Sequence, residues 1–454
     1  MTAEKRTHLN EIAQRHGDPW IWGIYIMLVI ISIVESYSAS SREIASQGVY
    51  MPLIKQCVFL AVGAVCVFLL HRWDYNKSQF LFLMIPVLAI VTVISLIYVL
   101  LFGEVINGAQ RAITLVPGFM TVQPAELAKL SIVTLLSYIM AKNQKNRDIS
   151  NTGMIISGVA VAIFGVLMIS SGLTNTLLLM AISVSMLLIG GARVKKILLL
   201  FGFYIIIGGL FYVFKHNNEH KDEIMQQNTT MVQTVDSQGD TVYVSAPTQD
   251  ASGGGRLRDA TWRNRIKAWW YSDSLVYRPL TNKNQQEMFS RMAQAHGGIK
   301  GVGIGQSREC SRLPLAFSDY IFSIIIEETG LIGGIFVLLL YLWLLARAAM
   351  IVKRSRRVLP SLLIIGMASL ITYQALFHMA INVGVFPVSG QPLPLVSKGG
   401  TSIIVMSVAF GIMLSVSRTI ANYNNKNNKV EESVLPEGLD AENPTQIVPK
   451  NVWK

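Results

Sequence analysis

The residue best placed to do chemistry is Asp319, which stands where a polar loop meets a long apolar run. Beyond it the chain stays largely apolar to Leu345, interrupted by Glu327 and Glu328. A carboxylate at such a boundary lies beside low-dielectric material yet can reach water, a setting that suits a general base. The alternative is structural, because an aspartate before an apolar run often caps the N-terminus of a helix.

Basic and amide side chains cluster in two short stretches before the fourth apolar run. The first stretch runs from Asn107 to Arg111, and the second contains Gln123, Glu126 and Lys129. An ammonium group inside an apolar helix needs a partner or an anionic ligand. Glu126 and Lys129 stand three residues apart, so they could instead pair on one helix face. We predict that Arg111, Gln123, Glu126 and Lys129 bind substrate.

Arg263 and Arg265 form a second basic group, next to Trp262 in the longest polar stretch of the chain. Guanidinium groups beside a membrane suit bidentate phosphate binding, so both are candidate substrate ligands. Attraction to anionic lipid headgroups is the alternative for these two arginines. The neighbouring tryptophans are typical of side chains that anchor a loop at the headgroup level.

Glycine is frequent in the stretch 297–305, named here the glycine loop, and again near the C-terminal end of the apolar region. No strand precedes the glycine loop, which argues against a dinucleotide-binding site. The second stretch, Ser397-Lys398-Gly399-Gly400, opens the last apolar run. Backbone N–H groups at a helix start beside Lys398 can bind an anion, although a plain re-entrant turn is the alternative. An acid and several cations on one membrane face predict a lipid substrate that carries a diphosphate.

A charged fraction of 15% against 52% hydrophobic residues indicates that most of this 454-residue chain lies in a membrane, since soluble domains carry roughly 25% charged residues. The net charge of +12 comes mainly from short loops between apolar runs. That distribution is the positive-inside pattern and argues against nucleic acid as a partner. Three cysteines, two of them in one apolar run, predict neither a disulfide framework nor a metal site.

Apolar runs long enough to span a bilayer predict an all-α, polytopic membrane protein with ten transmembrane helices. The predicted spans are 20–38, 53–70, 79–102, 125–141, 153–171, 174–190, 196–214, 320–346, 359–382 and 401–418. The short loops on one side of the membrane carry twelve Lys and Arg residues, against three on the other side. This asymmetry predicts that both termini are cytoplasmic.

One large extracytoplasmic loop, residues 215–319, is predicted between the seventh and eighth helices. Its first part, 216–255, is polar and is predicted to be a flexible insertion with a small hairpin around Gln238-Gly239. The other predicted segments are a cytoplasmic N-terminus at 1–19, helices at 20–214 and 320–418, and a disordered cytoplasmic tail at 419–454.

Six motifs in order along the chain resemble the SEDS family, the group of FtsW, RodA and SpoVE. They are SYSASS at 36–41, NGAQR at 107–111, QPAELAKL at 123–130, GGIKGVGIG at 297–305, SDYIFSIIIEETGLIG at 318–333 and PLPLVSKGGTS at 392–402. The resemblance implies a ten-helix glycosyltransferase that polymerises lipid II into peptidoglycan strands, with a class B penicillin-binding protein as partner. It also places the family's essential aspartate on Asp319, with helix capping as a compatible second role.

The resemblance further implies a bacterial cytoplasmic (inner) membrane protein in contact with lipids and other division proteins. SYSASS and the fourth-helix ending LSYIMAKNQKN favour the division branch, and hence a septal location, over the elongation branch. A divalent cation, Mg²⁺ or Mn²⁺, could assist the departure of the diphosphate, but the sequence shows no ligand set for it. The alternatives are a lipid II flippase, the elongation polymerase and a scaffold without activity.

The chain departs from the family pattern at several positions, which keeps the scaffold alternative open. Ala112 replaces a tryptophan, Leu315 replaces an acidic residue, and residues 172–176 replace an Asp-Leu-Gly-Thr motif. Lys398 stands where the family has tyrosine, while a basic position nine residues earlier is Ser389. We therefore predict that the lysine has taken over the same phosphate contact.

Overall fold

Helices dominate the structure, a computed structural model that describes residues 15–39, 50–73, 79–106, 109–116, 120–145, 148–169, 171–202, 204, 231–235, 241–245, 269–270, 284–313, 316–355 and 357–434. In chain order the helices are α1 (Pro19–Ser38), α2 (Met51–Arg72), α3 (Gln79–Phe102), α4 (Pro124–Lys142), α5 (Asn151–Ile169), α6 (Leu173–Ile189), α7 (Gln285–Gly297), α8 (Ile321–Lys353), α9 (Val358–Val383) and α10 (Gly400–Val434). All of them except α6 and α7 have the length and apolar composition of a membrane span. The predicted class, a helical multi-pass membrane protein, is confirmed.

Nine of the ten predicted spans coincide with helices in the described part of the chain. The seventh predicted span, 196–214, is helical at 194–202 and 204, and the rest of it lies outside the described residues. The count of ten spans and the extent of the large loop therefore remain predictions.

Two helices are longer than predicted. α8 runs to Lys353 instead of 346, and α10 runs to Val434 instead of 418. The expectation of disorder was therefore wrong for the first part of the tail. A helix that already has many turns adds residues at little cost. Residues 435–454 lie outside the described residues.

A small antiparallel sheet between α3 and α4 was not predicted. It consists of β1 (Glu104–Ile106), β2 (Ala109–Val116) and β3 (Met120–Val122), in the order β1-β2-β3. β2 contains Ile, Thr and Val, whose branched side chains favour an extended backbone. Strands of three residues are too short to show a period of two, so the sequence pattern gave no warning of them.

Two further strand pairs are short. β4 (Gln144–Lys145) pairs with β5 (Asp148–Ile149), and β6 (Met231–Val235) pairs with β7 (Thr241–Ser245), all antiparallel. The second pair confirms the predicted hairpin. The chain divides into two compact units, Ala192–Asn264 and the remainder. β6, β7 and the candidate ligand Arg263 belong to the first unit, whereas the other candidate site residues belong to the second.

The interior of the larger unit is formed by α4, α9 and α10. In each of these helices 78% of the most apolar 18-residue stretch is buried inside the protein, against 28% in α2, α3 and α8. Helices that expose apolar side chains suit contact with lipid, whereas the three central helices are shielded from it. Polar residues on the central helices must therefore find partners inside the protein.

Candidate active site

Asp319 lies half-buried immediately before α8. The N-cap position of this helix belongs to Tyr320, whose side chain makes no capping hydrogen bond. The helix-capping role considered for Asp319 is therefore not what the structure shows. The Ser318 hydroxyl donates to Asp319 Oδ1 at 3.0 Å. The aspartate thus presents a partly exposed carboxylate one residue before the N-cap of the helix.

Residues 389–398, named here the proline segment, dock against the chain around Asp319. The Lys398 N–H donates to the Phe317 carbonyl at 3.0 Å, and the Ser397 hydroxyl donates to the Ser318 carbonyl at 2.6 Å. Ser397 Oγ also accepts from the Leu393 N–H at 2.7 Å, which folds the segment back on itself. These bonds bring together Asp319, Ser397 and Lys398, three residues that the sequence analysis predicted for one site.

Gly390 gives the carboxylate of Asp319 its room. A Cβ atom on Gly390 would stand 2.9 Å from Asp319 Oδ2, which is closer than a methyl group and an oxygen atom can approach without a shift. Any side chain at position 390 would therefore displace the carboxylate. The close approach of the proline segment to Asp319 depends on this glycine.

The proline segment is also held in a strained shape. Leu395 adopts a φ of 62°, a left-handed conformation that costs a non-glycine residue roughly 1–2 kcal/mol. The Tyr341 hydroxyl donates to the Pro394 carbonyl at 2.6 Å and pins the neighbouring residue. Backbone strain persists only where the surroundings over-determine it, and such positions concentrate at functional sites.

Glu126 and Lys129, both predicted to bind substrate, pair with each other inside the bundle. Lys129 Nζ lies 2.6 Å from Glu126 Oε1 and 2.6 Å from Gln374 Oε1 of α9. The lysine side chain is fully buried. Gln374 Nε2 in turn donates to the Pro392 carbonyl at 3.2 Å. The pair therefore supports the proline segment through Gln374, which is the pairing that the three-residue spacing left open.

Lys398 is partly exposed, in contrast to Lys129. Its ammonium group stands 5.0 Å from the centroid of the Phe317 ring. Gly399 and Gly400 follow it and open α10, and a Cβ atom on Gly400 would meet the Phe59 ring at 2.6 Å. Gly400 is thus required for packing, while Lys398 stands at a helix N-terminus, where anions are favoured.

The remaining predicted residues are described unevenly. Gln123 takes the N-cap position of α4, and its N–H donates to Thr401 Oγ1 of α10 at 3.4 Å. Arg111 lies on β2, but its side chain is outside the described set, as are Arg263 and Arg265 entirely. Substrate binding by these three arginines remains a prediction.

Three polar residues of α9 were not predicted. His378 and Asn382 follow Gln374 at four-residue intervals, so all three lie on one face of this apolar helix. Asn382 Nδ2 donates to the main-chain carbonyl of Asp319 at 3.0 Å. The four-residue spacing is visible in the sequence, and polar residues within a membrane helix often mark a functional face.

The glycine loop forms hydrogen bonds with main-chain groups of α8 at a break in that helix. Gly330 interrupts the helix with φ 74° and ψ −177°, which frees main-chain groups on both sides of it. The Val302 N–H donates to the Glu327 carbonyl at 2.9 Å, and the Leu331 N–H donates to the Gly298 carbonyl at 2.9 Å. A loop that supplies the missing partners of a broken membrane helix has a structural role.

Glu327 and Glu328 are buried beside this junction. The Ser307 hydroxyl donates to Glu327 Oε2 at 2.5 Å, and the Arg308 N–H donates to its Oε1 at 3.0 Å. The Ser38 hydroxyl of α1 donates to Glu328 Oε1. The carboxylates of Glu327 and Glu328 therefore each accept a hydrogen bond from the protein. For Glu327 the donors lie in the residues that follow the glycine loop.

The described residues contain no group of three or more His, Cys, Asp or Glu side chains arranged to hold a metal ion. A divalent cation at the diphosphate therefore remains a prediction. The described candidate residues of the site are Asp319, Ser397 and Lys398, which offer a carboxylate, a hydroxyl and an ammonium group.

Comparison with known families gives one match over most of the chain. The family described as "Cell cycle protein", comprising FtsW, RodA and SpoVE, matches residues 19–241 and 256–422. Stage V sporulation protein E of Bacillus subtilis is 26% identical over 403 residues, which covers 87% of this chain and 95% of that protein. A probable peptidoglycan glycosyltransferase FtsW of Geobacter metallireducens is 27% identical over 398 residues, with coverage of 86% and 92%.

Solved structures share the fold. A chain of a peptidoglycan synthase complex, solved to explain how polymerization and crosslinking are coordinated, superposes with a TM-score of 0.58 at 22% identity. The match covers 88% of this chain and 98% of that one. The crystal structure of the rod shape determining protein RodA of Thermus thermophilus gives a TM-score of 0.55 at 20% identity, with coverage of 88% and 95%.

Proposed function

The chain belongs to the FtsW, RodA and SpoVE family of cell cycle proteins, and from this premise we propose that it is a peptidoglycan glycosyltransferase that polymerises lipid II. The observation that carries the proposal is the half-buried carboxylate of Asp319, which lies against Gly390 of the proline segment, the segment that also carries the partly exposed Lys398. A base and a cation at the start of membrane helices suit a sugar acceptor and a lipid diphosphate donor.

The proposed reaction is glycosyl transfer with inversion at the donor sugar. Asp319 accepts the proton of the acceptor's 4-hydroxyl group as that oxygen attacks the anomeric carbon of the donor. The bond from the anomeric carbon to the diphosphate oxygen breaks, and polyprenyl diphosphate leaves with the electron pair. A carboxylate positioned within hydrogen-bond reach of the hydroxyl provides general-base catalysis of this step.

The departing diphosphate needs fixed positive charge. Arg111, Lys129 and Lys398 are the candidates, since preorganised cations stabilise charge that develops in the transition state. The burial of Lys129 between Glu126 and Gln374 argues for an indirect role of that residue. The partial exposure of Lys398 favours it as the direct contact.

We assign the enzyme to the division branch of the family, acting at the septum with a class B penicillin-binding protein and other division proteins. Relatives named FtsW support this assignment, and the synthase complex among the structural neighbours supports a transpeptidase partner. The two motifs SYSASS and LSYIMAKNQKN point the same way. Localisation of a fluorescent fusion to division sites, against a lateral-wall pattern, tests the branch.

The activity itself is tested with purified protein in detergent micelles. Given lipid II and a candidate penicillin-binding protein whose own catalytic serine is blocked, the wild-type chain should produce glycan polymer. A flippase would produce none, because micelles offer no membrane to cross and a flippase joins no sugars. Absence of polymer, with both proteins folded and associated, would contradict the proposal.

A further inference from the structure

The polar face of α9 forms a stripe that the proposed reaction does not use. Gln374, His378 and Asn382 are 0%, 0% and 2% exposed, in a helix whose other residues are mostly apolar. Polar side chains at such depth are costly unless they have partners. All three find them in the proline segment or next to Asp319, so the stripe joins parts of the site that are far apart in sequence.

Two members of the stripe hold the proline segment. Gln374 Nε2 donates to the Pro392 carbonyl at 3.2 Å, and His378 Nδ1 lies 2.6 Å from the Gln391 carbonyl. Because a carbonyl oxygen can only accept, the His378 ring carries a proton on Nδ1. Its Nε2 faces Asn382 Nδ2 at 3.3 Å. These two contacts hold the proline segment, which carries Gly390, against the same face of α9 that carries Asn382.

Asn382 is the hub of the stripe. Its Nδ2 donates to the Asp319 carbonyl at 3.0 Å, and its Oδ1 accepts from the Ser323 hydroxyl at 2.9 Å. Its own carbonyl accepts from Gln294 Nε2 of α7 at 2.7 Å. One side chain and its peptide group thus connect α9, α7 and the first turn of α8.

We propose that Asn382 is a positioning residue that fixes the main chain of Asp319 and so aims its carboxylate past Gly390; this rests on the glycosyltransferase function proposed above. Asp319 has a short side chain, so the location of its backbone sets the reach of the carboxylate. A displacement of about 1 Å at a catalytic group can reduce the rate roughly 10²-fold. The hydrogen bond to the Asp319 carbonyl removes that freedom.

The test replaces the hub without adding bulk. Asn382→Leu removes the donor and the acceptor, and the matched control is Thr372→Val. Thr372 is another fully buried polar residue of α9, and its hydroxyl donates to the Tyr341 carbonyl at 3.1 Å, away from the stripe. We expect Asn382→Leu to lower the polymerisation kcat by about 10- to 100-fold with KM within about twofold. Thr372→Val should keep kcat within about twofold.

A double-mutant cycle separates positioning from general loosening. If Asn382 acts through Asp319, then adding Asn382→Leu to Asp319→Asn should reduce the residual rate no further, because effects of residues that act as a unit are not additive. An additive loss, or a rise in KM with unchanged kcat, would overturn the proposal. Should Asn382→Leu fail to fold, Asn382→Asp keeps the size and the acceptor for Ser323 while replacing the amide donor.

A second readout is independent of polymer synthesis. Amide hydrogen exchange of the peptide covering 317–323 should be faster in Asn382→Leu than in wild type and unchanged in Thr372→Val, without substrate. Unchanged exchange in the Asn382 variant would overturn the positioning role whatever the activity. If the exchange result holds while the wild-type chain makes no polymer, the proposed function fails and the structural constraint on Asp319 stands.

Discussion

Two carboxylates near α8, Asp319 before its start and Glu327 before its break at Gly330, have opposite environments. At the start of the helix, Asp319 is half-buried and lies against Gly390. Two turns further on, Glu327 is fully buried and accepts hydrogen bonds from Ser307 and from the Arg308 main chain. Both residues are carboxylic acids in the same apolar region of the sequence, so residue type alone did not show that their environments differ.

This contrast separates two kinds of buried acid in a membrane protein. A carboxylate whose oxygens are bound by the protein's own groups stabilises the fold, and removing one partner leaves a buried polar group at a cost of roughly 1–3 kcal/mol. A carboxylate that keeps an open side can exchange a proton with a ligand. Ser307 and Arg308, which follow the glycine loop, close the first kind of site, and the proline segment frames the second.

The largest expected effect is on the closed site. Gly330→Ala should destabilise the protein on the order of 3 kcal/mol or more, because the backbone there is one that only glycine adopts readily. The new Cβ would also stand 2.2 Å from the Ile299 carbonyl oxygen. Thermal unfolding in detergent measures the loss. The matched control is Gly305→Ala, at φ 79° with nothing within 4 Å of the new Cβ.

The control should cost only the left-handed backbone, roughly 1–2 kcal/mol. Equal losses for Gly330→Ala and Gly305→Ala would show that the junction between the glycine loop and α8 is not tight. The glycine loop would then not have the structural role assigned to it here, and the contrast between the sites of Glu327 and Asp319 would no longer hold.

Sequence patterns predicted the membrane spans well because the hydrophobic signal is local and long. They also placed Asp319, Ser397 and Lys398 in one site, through motifs. What they could not predict depends on contacts between distant segments: the break at Gly330 needs partners from the glycine loop, and the hub at Asn382 needs the Asp319 carbonyl. The same limit explains why the sequence left open whether Lys129 binds substrate or pairs inside the protein, where the structure gives it Glu126 and Gln374 as partners.

The next effect concerns charge at the open site. Lys398→Ala should slow polymerisation by an amount equivalent to about 2–4 kcal/mol, because the diphosphate loses a fixed cation in a low-dielectric site. Arg111→Ala is expected to act in the same direction. Initial rates at several lipid II concentrations provide the measurement. Phe317→Leu, which removes the ring beside the ammonium but keeps the charge, should change the rate much less.

A rescue experiment sharpens this prediction. If Lys398 has replaced a basic residue at position 389, then Ser389→Lys should partly restore the rate of Lys398→Ala. The Ser389 hydroxyl is buried without a hydrogen-bond partner among the described residues, so its loss removes no described bond. A failure to rescue, with the double variant folded, would leave the two positions unrelated.

The smallest expected effect comes from the polar insertion. Replacing residues 219–251 with a short Gly/Ser linker should leave the fold and the intrinsic polymerisation nearly unchanged, because this segment has few large apolar side chains to bury. Activation by the partner transpeptidase is the property that it could lose. Polymer yield is measured with and without the partner. Loss of polymerisation despite intact partner binding would place the insertion in the active site.

The most direct test compares matched substitutions of the two carboxylates. Asp319→Asn and Glu327→Gln both replace a carboxylate with an amide of the same shape, and each is measured for polymerisation rate and thermal unfolding. We predict that Asp319→Asn lowers the rate at least roughly 10²-fold with unchanged stability, since an amide is not a base. Glu327→Gln should lower stability by about 1–3 kcal/mol and keep the rate within about threefold. An active Asp319→Asn enzyme, or a stable but inactive Glu327→Gln enzyme, would contradict the account.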